Sequence, residues 1–438
     1  MSELPAGWVE APLEECVDIL DAQRQPINSE ERTQRVQGKS TGELFPYYGA
    51  TGQVGMIDGF LFDEELVALG EDGVPFFEGD KHKAYMLRGK TWVNNHAHVL
   101  RGISEVLDNR ILCHFLNQFD YRDYVNGGTR LKLTQANMRR IPLRIPPHAE
   151  QKRIAQKLDG LLAQVDTLKA RIDAIPALLR RFRQAVLAAA TSGQPTEKPI
   201  TQDGTTWKLT TIGEVCSGSF YGPRFGKTEY TESEEGIPTI RTTDMTDDGR
   251  IIISPATPRV LVPTEKRSKF LAKKGDLLVT RTGSIGVMAV FDGDYEAIPS
   301  AYLIRFRFKP EIVPRYVFFC LMSPRGQASL GLSATAITQP NINAEAVKAI
   351  EIRIPSIEEQ TKIICRVEQL FAYADQLEAK VVAAQQRIDA LTQSLLAKAF
   401  LGELVPQDPT EEPASVLLER IRAQRAATPK PKRGRKKV

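Results

Sequence analysis

The sequence has few cysteines and no long apolar stretch. Its 438 residues include only five cysteines, an odd number without any Cys-x-x-Cys pair, at positions 16, 113, 216, 320 and 365. This usage is typical of a reducing cytosol and predicts neither a disulfide framework nor a structural zinc site. No run of 18 apolar residues and no secretory leader occur, so we expect a cytoplasmic chain that does not span a membrane.

The sequence also lacks the motifs of enzymes that use nucleotides or modify bases. The only Pro-Pro pair, Pro146-Pro147, stands in Ile-Pro-Pro-His and not in the Asp/Asn-Pro-Pro-aromatic loop of an adenine methyltransferase, and no Gly-x-Gly occurs. The nearest approach to a P-loop, residues 222–228, is one residue too short. His96 and His98 have no evident third metal ligand, so we favour a turn or core pair over a metal site. We therefore predict no catalytic residue, no metal and no cofactor in this chain.

Positive charge is concentrated in one short segment. The formal net charge is +4 at pH 7, but residues 428–438 contain six basic side chains and no acidic one, which leaves about −2 for the rest of the chain. The composition, 42% hydrophobic and 26% charged, is that of a globular protein. At about 150 residues per domain, the length predicts two to three domains. A nucleic-acid-binding surface would therefore consist of local patches.

The chain contains an internal duplication. Residues 141–193 align with residues 350–402 without a gap, and each half begins near a tryptophan, Trp8 or Trp207. Between these anchors, residues 20–130 and 215–330 share no pattern that can be aligned. Each half is thus a variable block of about 150 residues followed by a constant block of about 50, at the scale expected for one domain and one long element. We expect the constant blocks to share one role and the variable blocks to differ in theirs.

The constant blocks carry an uninterrupted heptad pattern. Apolar residues recur at alternating spacings of four and three, which predicts long coiled-coil helices. Gly193 and Gly402 follow at the position of a helix C-cap, and Pro176 is expected to interrupt and kink the first helix. We favour intramolecular antiparallel pairing, with the variable domains at opposite ends and a pseudo-twofold relation; pairing with another chain is the alternative. The predicted seam comprises Ile154, Leu158, Leu161, Val165, Leu168, Ile172, Ile363, Val367, Leu370, Leu377, Val381 and Ile388.

The variable blocks mix strand and helix signals, so we predict an α+β fold with two globular domains joined by the two long helices. Strand-like runs are residues 66–70, 276–280 and 302–308, and helical stretches are residues 109–119 and 314–321. The predicted boundaries are 1–146 for the first domain, 147–193 for the first long helix, 194–206 for a linker, 207–355 for the second domain, 356–404 for the second long helix, and 405–438 for a short helix (414–426) with a disordered basic tail.

Polar loops in both variable blocks hold residue types that read DNA. Arg suits guanine, and Asn or Gln suits adenine. Two different recognition domains on a rigid coiled coil have the geometry that suits a DNA target split into two half-sites. The plain alternative is that these residues form ordinary polar turns. The candidates are Thr129, Arg130, Lys132, Thr134 and Gln135 in the first half, and Arg241, Thr242, Thr243, Arg281, Thr282, Ser284, Thr338, Gln339 and Asn341 in the second.

The order of these features, repeated twice, resembles the specificity (S) subunit, HsdS, of type I restriction-modification systems along essentially the whole chain. Each variable block ends in Ile-x-Ile/Leu-Arg-Ile-Pro, then Glu-Gln, then the long helix. Further motifs that fit this family are residues 47–52, 72–73, 94–95, 237–241, 275–278, 339–343 and 399–404.

The resemblance implies a subunit that is not an enzyme. It would bind a bipartite, asymmetric double-stranded DNA target, each domain reading one half. The coiled coil would act as spacer and as docking site for two methyltransferase subunits, which two restriction subunits can join. S-adenosylmethionine, ATP and Mg would belong to those partners. Residues 428–438 depart from the pattern, and either add salt-sensitive DNA affinity or serve solubility.

Two other functions remain open from the sequence. A coiled-coil scaffold with two α/β protein-binding heads would show no sequence-selective DNA binding even with all partners present. A self-contained nucleic-acid enzyme would transfer methyl groups or hydrolyse ATP as the isolated chain.

Overall fold

The computed structural model describes residues 4–79, 81–128, 130–193, 207–332 and 341–427. These residues divide into two compact units. Unit 1 combines the residues up to Asp173 with those from Val382 onward, and unit 2 comprises Ala174–Val381. The predicted mixture of helix and sheet is confirmed, and the strands and helices predicted in the variable blocks lie within one residue of the observed ones.

The elements up to the first long helix are short. The strands are β1 Val9–Pro12, β2 Val17–Ile19, β3 Phe45–Gly49, β4 Gly52–Ile57, β5 Phe62–Asp63, β6 Leu66–Gly70, β7 Ala84–Leu87, β8 Lys90–Val93, β9 Ala97–Gly102, β10 Val125–Asn126, β11 Lys132–Leu133 and β12 Pro142–Ile145. The helices are α1 Leu13–Cys16, α2 Ser29–Val36, α3 Asn109–Gln118, α4 Gln135–Arg139 and the long α5 His148–Ser192.

The remaining elements follow a similar order. The strands are β13 Lys208–Thr211, β14 Cys216–Tyr221, β15 Tyr230–Thr231, β16 Ile237–Ile240, β17 Arg259–Val260, β18 Leu277–Thr280, β19 Met288–Val290, β20 Ile298–Pro299, β21 Leu303–Phe308 and β22 Glu351–Ile354. The helices are α6 Ile212–Val215, α7 Thr264–Phe270, α8 Pro314–Met322, α9 Pro324–Leu332, α10 Ala344–Lys348, the long α11 Ile357–Phe400 and α12 Ala414–Ala427.

The variable blocks, which share no sequence pattern, each contain one antiparallel sheet with the same strand order. Unit 1 contains an antiparallel sheet in the order β2-β9-β6-β7, and unit 2 contains its counterpart, β14-β21-β18-β19. A second four-stranded sheet in each unit has one parallel pair, β3 with β8 and β16 with β20. Strands β6 and β18 are buried along their whole length, as expected for central strands that are covered on both faces.

The long helices pair in antiparallel fashion within each unit. In unit 1, Lys169 lies 2.9 Å from Asp389 and Asp173 accepts a hydrogen bond of 2.7 Å from Gln385, so positions that rise along α5 meet positions that fall along α11. In unit 2, Arg183 binds Glu378 and Asp375, whereas Leu187, further along α5, lies in one core cluster with Ile363 and Val367, which come earlier along α11. The predicted antiparallel pairing within one chain is therefore confirmed in both units.

Most of the predicted seam is buried or half-buried, with two corrections. Leu168 is 47% exposed, although Val165 before it and Leu179 after it in the same pattern are buried, so the seam is interrupted at this position. Pro176 does not interrupt α5, which continues from His148 to Ser192. A proline inside a helix removes one backbone hydrogen bond, and the turns on both sides still hold. Gly193 and Gly402 end the helices with positive φ of 68° and 75°, as predicted.

The repeated Glu-Gln motif attaches each long helix to its globular domain. The side chain of Gln151 accepts a hydrogen bond from the amide of Asp108 and donates to the carbonyls of Val106 and Pro146, at 2.7–3.0 Å. The preceding Glu150 accepts a hydrogen bond of 3.2 Å from the indole of Trp8.

Unit 2 repeats this arrangement. Gln360 accepts from the amide of Val313 and donates to the carbonyls of Glu311 and Pro355, and Glu359 accepts from the indole of Trp207. Both glutamine side chains are fully buried. The motif that reveals the duplication in the sequence is thus the fixed joint between the domain and its helix.

Candidate DNA interface

One loop occupies the same place in both units, directly after the central strand. In unit 1 the amide of Leu133 donates to the carbonyl of Glu71 at 2.7 Å, and in unit 2 the amide of Ile342 donates to the carbonyl of Arg281 at 2.8 Å. An antiparallel bridge follows in each, Asp72 with Lys132 and Thr282 with Asn341. The next residue is a glycine with positive φ in both loops. Residues 71–73 therefore correspond to residues 281–283.

The strand behind the loop extends this correspondence. The amide of Glu71 donates to the carbonyl of His96, and the amide of Arg281 donates to that of Tyr302, at 2.8 and 2.9 Å. The register of the sheets then aligns His98 with Ile304. Counted two residues on from Ile19, where the paired part of β2 ends, Asp21 stands at the position of Tyr221. The two units thus offer equivalent backbone positions that carry different side chains.

In unit 1 these positions form a network of charges. Glu71 lies 3.0 Å from Arg24 and 3.2 Å from Lys132, and Asp72 lies 2.9 Å from both Arg130 and His96. The side chains of Arg130 and Lys132 are 65% and 52% exposed, so their charged groups face solvent. The carboxylates of Asp72 and Glu71 hold these two cations in position.

A buried carboxylate lies behind this loop. Asp21 binds a ring nitrogen of His98 at 2.7 Å and accepts a hydrogen bond of 2.9 Å from Gln135. The other ring nitrogen of His98 faces the carbonyl of Leu133 at 3.0 Å, so the histidine joins Asp21 to the strand that carries Lys132. Burial raises the pKa of Asp21, but the hydrogen bonds from His98, from the amide of Val99 and from Gln135 outweigh it and hold the pKa below its ordinary value. Asp21 is therefore an anion that ties Gln135 to the sheet.

In unit 2 the equivalent positions form an aromatic and amide surface. The guanidinium of Arg281 lies over the ring of Tyr221, 4.8 Å from its centroid, and has no carboxylate partner among the described residues. Thr282 donates a hydrogen bond of 3.3 Å to the side-chain carbonyl of Asn341. Tyr221 and Tyr302 are 48% and 62% exposed. Stacked cations and exposed aromatic rings are groups that contact nucleic-acid bases and backbone.

Comparison with known proteins identifies the family. A family model described as "Type I restriction modification DNA specificity domain" matches twice, at residues 5–177 and 204–384. The chain belongs to this specificity family. The family that the repeated motifs resemble is thereby confirmed, and with it a role in DNA specificity in place of catalysis.

Specificity subunits of enteric bacteria are similar to this chain along most of their length. The type I restriction enzyme EcoBI specificity subunit of Escherichia coli is 39% identical over 324 residues, 67% of each chain. The StySPI specificity subunit of Salmonella potsdam is 36% identical over 348 residues, 75% of this chain and 74% of that protein.

Solved structures of the same kind share the fold. A chain from a solved type I R-M system superposes with a TM-score of 0.67 at 18% identity, covering 92% of this chain and all of that one. The HsdS subunit from Thermoanaerobacter tengcongensis gives a TM-score of 0.57 at 18% identity, over 92% and 99% of the two chains.

The structure shows the setting of most of the predicted recognition residues of this specificity-family chain. Arg130, Lys132 and Gln135 meet at the loop of unit 1, and Arg281, Thr282 and Asn341 meet at that of unit 2. Ser284 and Thr243 are exposed, and Thr242 joins its hydroxyl to that of Thr280 at 3.1 Å. Thr129, Thr338 and Gln339 lie outside the described residues.

Two of the predicted residues make hydrogen bonds that stabilise the local turn in which they lie. Thr134 caps α4 by accepting from the amide of Asn137 at 3.3 Å, so the polar segment around it is not only a loop but contains strand β11 and the start of helix α4. Arg241 binds Asp244 and the carbonyl of Ala256. Sequence reasoning missed Glu71, Tyr221 and Tyr302, and it named Asp72 only as part of a family motif. Glu71 and Asp72 follow the buried strand β6, whereas Tyr221 ends the partly exposed β14 and Tyr302 precedes β21.

The described ranges contain no helix that is long and apolar enough to cross a membrane. Within the same ranges, no three His, Cys, Asp or Glu side chains are grouped to hold a metal ion. His98 is buried in the network of Asp21, and His96 is tied to Asp72.

Proposed function

We propose that this chain gives a type I restriction-modification complex its DNA target, a bipartite and asymmetric sequence of which each unit reads one half. The observation that carries the proposal is the pair of equivalent loops at residues 71–73 and 281–283. Their backbones are held in the same way, but one presents carboxylates and cations and the other an arginine over a tyrosine ring. Two readers with different side chains on one scaffold suit a target whose halves differ.

The side chains suggest what each loop contacts. Arg281 is fixed by Tyr221 and carries no carboxylate partner in the described ranges, so it is suited to donate two hydrogen bonds to guanine in the major groove. Asn341, one bridge away, is suited to adenine. In unit 1, the exposed cations of Arg130 and Lys132 would contact DNA, while Gln135 is held against Asp21. Thr134 and Arg241 would position their turns.

The remaining roles in this proposal belong to partners. The paired helices α5 and α11 would set the gap between the half-sites and offer a docking surface to two methyltransferase subunits, which two restriction subunits would join. S-adenosylmethionine, ATP and Mg would bind to those subunits, and the complex would act in the cytoplasm. The exposed seam residue Leu168 is an apolar group that such a partner would cover.

Exchange of one globular domain tests the proposal. Residues 1–146 are replaced by the corresponding segment of a relative with another target, the chain is expressed with its methyltransferase subunit, and N6-methyladenine is mapped across the genome. We expect one half of the methylated motif to change and the other half and the gap to stay. Replacement of residues 207–355 is the matched control, which should change the other half. A change of both halves by either exchange, or of none with assembly intact, would contradict the proposal.

A further inference from the structure

Strand β14 ends in two aromatic rings, each packed against an arginine. Phe220 and Tyr221 are consecutive residues of this strand, so their side chains point to opposite faces of the sheet. Tyr221 packs against Arg281 at the recognition loop, with 4.8 Å between the ring centroid and the guanidinium carbon. Phe220 packs against Arg305 in the same way, at 4.7 Å. This second pair forms part of the wall of a cavity of about 260 Å³ in unit 2.

The cavity combines apolar walls with two cations. Its lining includes the rings of Phe220 and Phe270, and the cations are those of Lys269 and Arg305. Lys269 is exposed, and no acidic side chain of the described ranges lies within ion-pair distance of it. The segment of residues 264–276 that carries it has five basic and two acidic side chains. The cavity therefore lies beside a segment of net positive charge.

Backbone carbonyls hold Arg305 in the wall of the cavity. This residue is only 4% exposed, and its guanidinium donates hydrogen bonds to the carbonyls of Lys269, Phe270 and Leu271. Its Nε–H is buried and meets no acceptor at hydrogen-bond distance in the part of the chain that the structure describes. The carbonyls are neutral groups, so they orient the guanidinium without neutralising its charge.

One carboxylate is shared between two guanidinium groups. Asp276 lies 3.6 Å from Arg305, which is beyond hydrogen-bond distance, and accepts hydrogen bonds of 2.7 and 2.6 Å from Arg307. It also accepts one of 2.7 Å from the amide of Lys273. Burial lowers the pKa of Arg305, and Asp276 offsets this effect only in part. Arg305 is thus a buried cation with incomplete compensation.

The equivalent positions of unit 1 are apolar, so the fold itself does not require this cation. The register of the two sheets aligns Arg305 with Val99. Phe220 pairs with Arg305, and the amide of Leu20 donates to the carbonyl of Val99, so Leu20 stands where unit 2 has Phe220. Leu20 and Val99 belong to one apolar core cluster. A buried charge is costly and apolar replacements often lose no stability, so its presence in unit 2 indicates a ligand.

We propose that this cavity binds a phosphate of the DNA backbone at the half-site that unit 2 reads. The inference rests on the proposed function, because it takes unit 2 as a DNA reader. A phosphate would supply the negative charge that Arg305 lacks, and the exposed Lys269 would contact it directly. The apolar rings suit the deoxyribose beside it. Arg281, on the other face of the strand end, would read a base while the cavity fixes the position of the backbone.

The test measures binding of target DNA by the assembled complex with its methyltransferase subunits at several salt concentrations. Lys269→Gln removes an exposed cation, so the fold should persist. One phosphate contact contributes about −0.9 to the slope of log affinity against log salt, so the slope should become less steep by about 0.9. Lys309→Gln, an exposed lysine beside the beginning of β14, is the matched control and should leave the slope unchanged. The methylated motif should be the same for all three chains.

Neutral phosphates locate the contact. Single methylphosphonate linkages, which carry no charge, are placed one at a time along the half-site of unit 2. At one position the linkage should weaken binding by the native chain and have no further effect on Lys269→Gln, because both changes remove the same contact. Arg305→Met, which leaves Asp276 paired with Arg307, should lose sensitivity at the same position.

The contrary results are distinct. An equal slope for the native chain and Lys269→Gln would overturn the inference, as would methylphosphonate effects that are the same in both chains at every position. A changed base preference of Lys269→Gln at an unchanged slope would also overturn it, in favour of a base in the cavity. If the native complex does not prefer target DNA over random DNA, the proposed function itself has failed.

Discussion

Units 1 and 2 place chemically opposite side chains on equivalent backbone positions. Glu71 corresponds to Arg281 and Asp21 to Tyr221, yet the strands behind them pair in the same order. The hydrogen bonds that fix each loop are made by backbone groups, so they do not depend on which side chain is attached. The side-chain charge at this loop position can therefore be negative in one unit and positive in the other while the backbone stays in place. The side chains that both units share lie elsewhere, in the joint between the globular domain and its long helix.

The largest effect is expected at that shared joint. Gln151→Ala and Gln360→Ala each leave two backbone carbonyls and one amide without their buried partner. At about 1–3 kcal/mol for an unsatisfied buried group, and with partial relaxation, each change should cost roughly 3 kcal/mol of stability. Hydrogen–deuterium exchange should show faster exchange around Val106–Asp108 for the first variant and around Glu311–Val313 for the second.

An exposed glutamine of α5, Gln164, is the control for both variants. Gln164→Ala should change stability by less than about 0.5 kcal/mol and leave exchange as it is. Protection lost in one unit only, whichever glutamine is changed, would show that the two joints are not equivalent.

A smaller and more selective effect is expected at the recognition loops. Arg281→Gln removes the guanidinium that lies over Tyr221, and should cost about 1–3 kcal/mol of discrimination in one half-site. Glu71→Gln, at the equivalent position, removes the carboxylate beside Lys132 and leaves Arg24 paired with Asp21, and should alter preference in the other half-site. Competition binding with targets mutated in one half at a time measures both. Effects of the two variants on the same half-site would contradict the correspondence of the loops.

Local patterns made the long helices and their ends predictable. A heptad repeat and a terminal glycine are visible within a few turns of chain, and α5 and α11 follow them to Gly193 and Gly402. The strand order of the one sheet that the variable blocks share was not predictable, because it depends on strand pairings between residues far apart. Strand β2, for example, pairs with β9 about 80 residues later. Such pairings impose only that a strand be apolar and of suitable length.

The polar segments that hold the candidate recognition residues could be picked out of the sequence, but the setting of each side chain could not. The same polar residue types read bases and cap helices, so Thr134 at an N-cap cannot be told in sequence from a threonine that faces DNA. Acidic residues gave no signal for a DNA site, although Glu71 and Asp72 position the cations of the unit 1 loop.

The smallest expected effect separates the two units by pH. The pKa of Asp21 lies below its ordinary value of 3.8 in the folded protein, so its ionised form stabilises unit 1 above that pH, and this stability is lost as the pH falls through the lower folded value. Unit 2 has Tyr221 at the equivalent position and therefore no carboxylate there. Asp21→Asn should cost about 1–2 kcal/mol at neutral pH and remove that part of the acid sensitivity. Hydrogen–deuterium exchange of β9 and β21 between pH 5 and 3 measures both units in one sample. Equal loss of protection in β9 of the native and Asp21→Asn chains would show that the Asp21–His98 contact contributes no stability of its own.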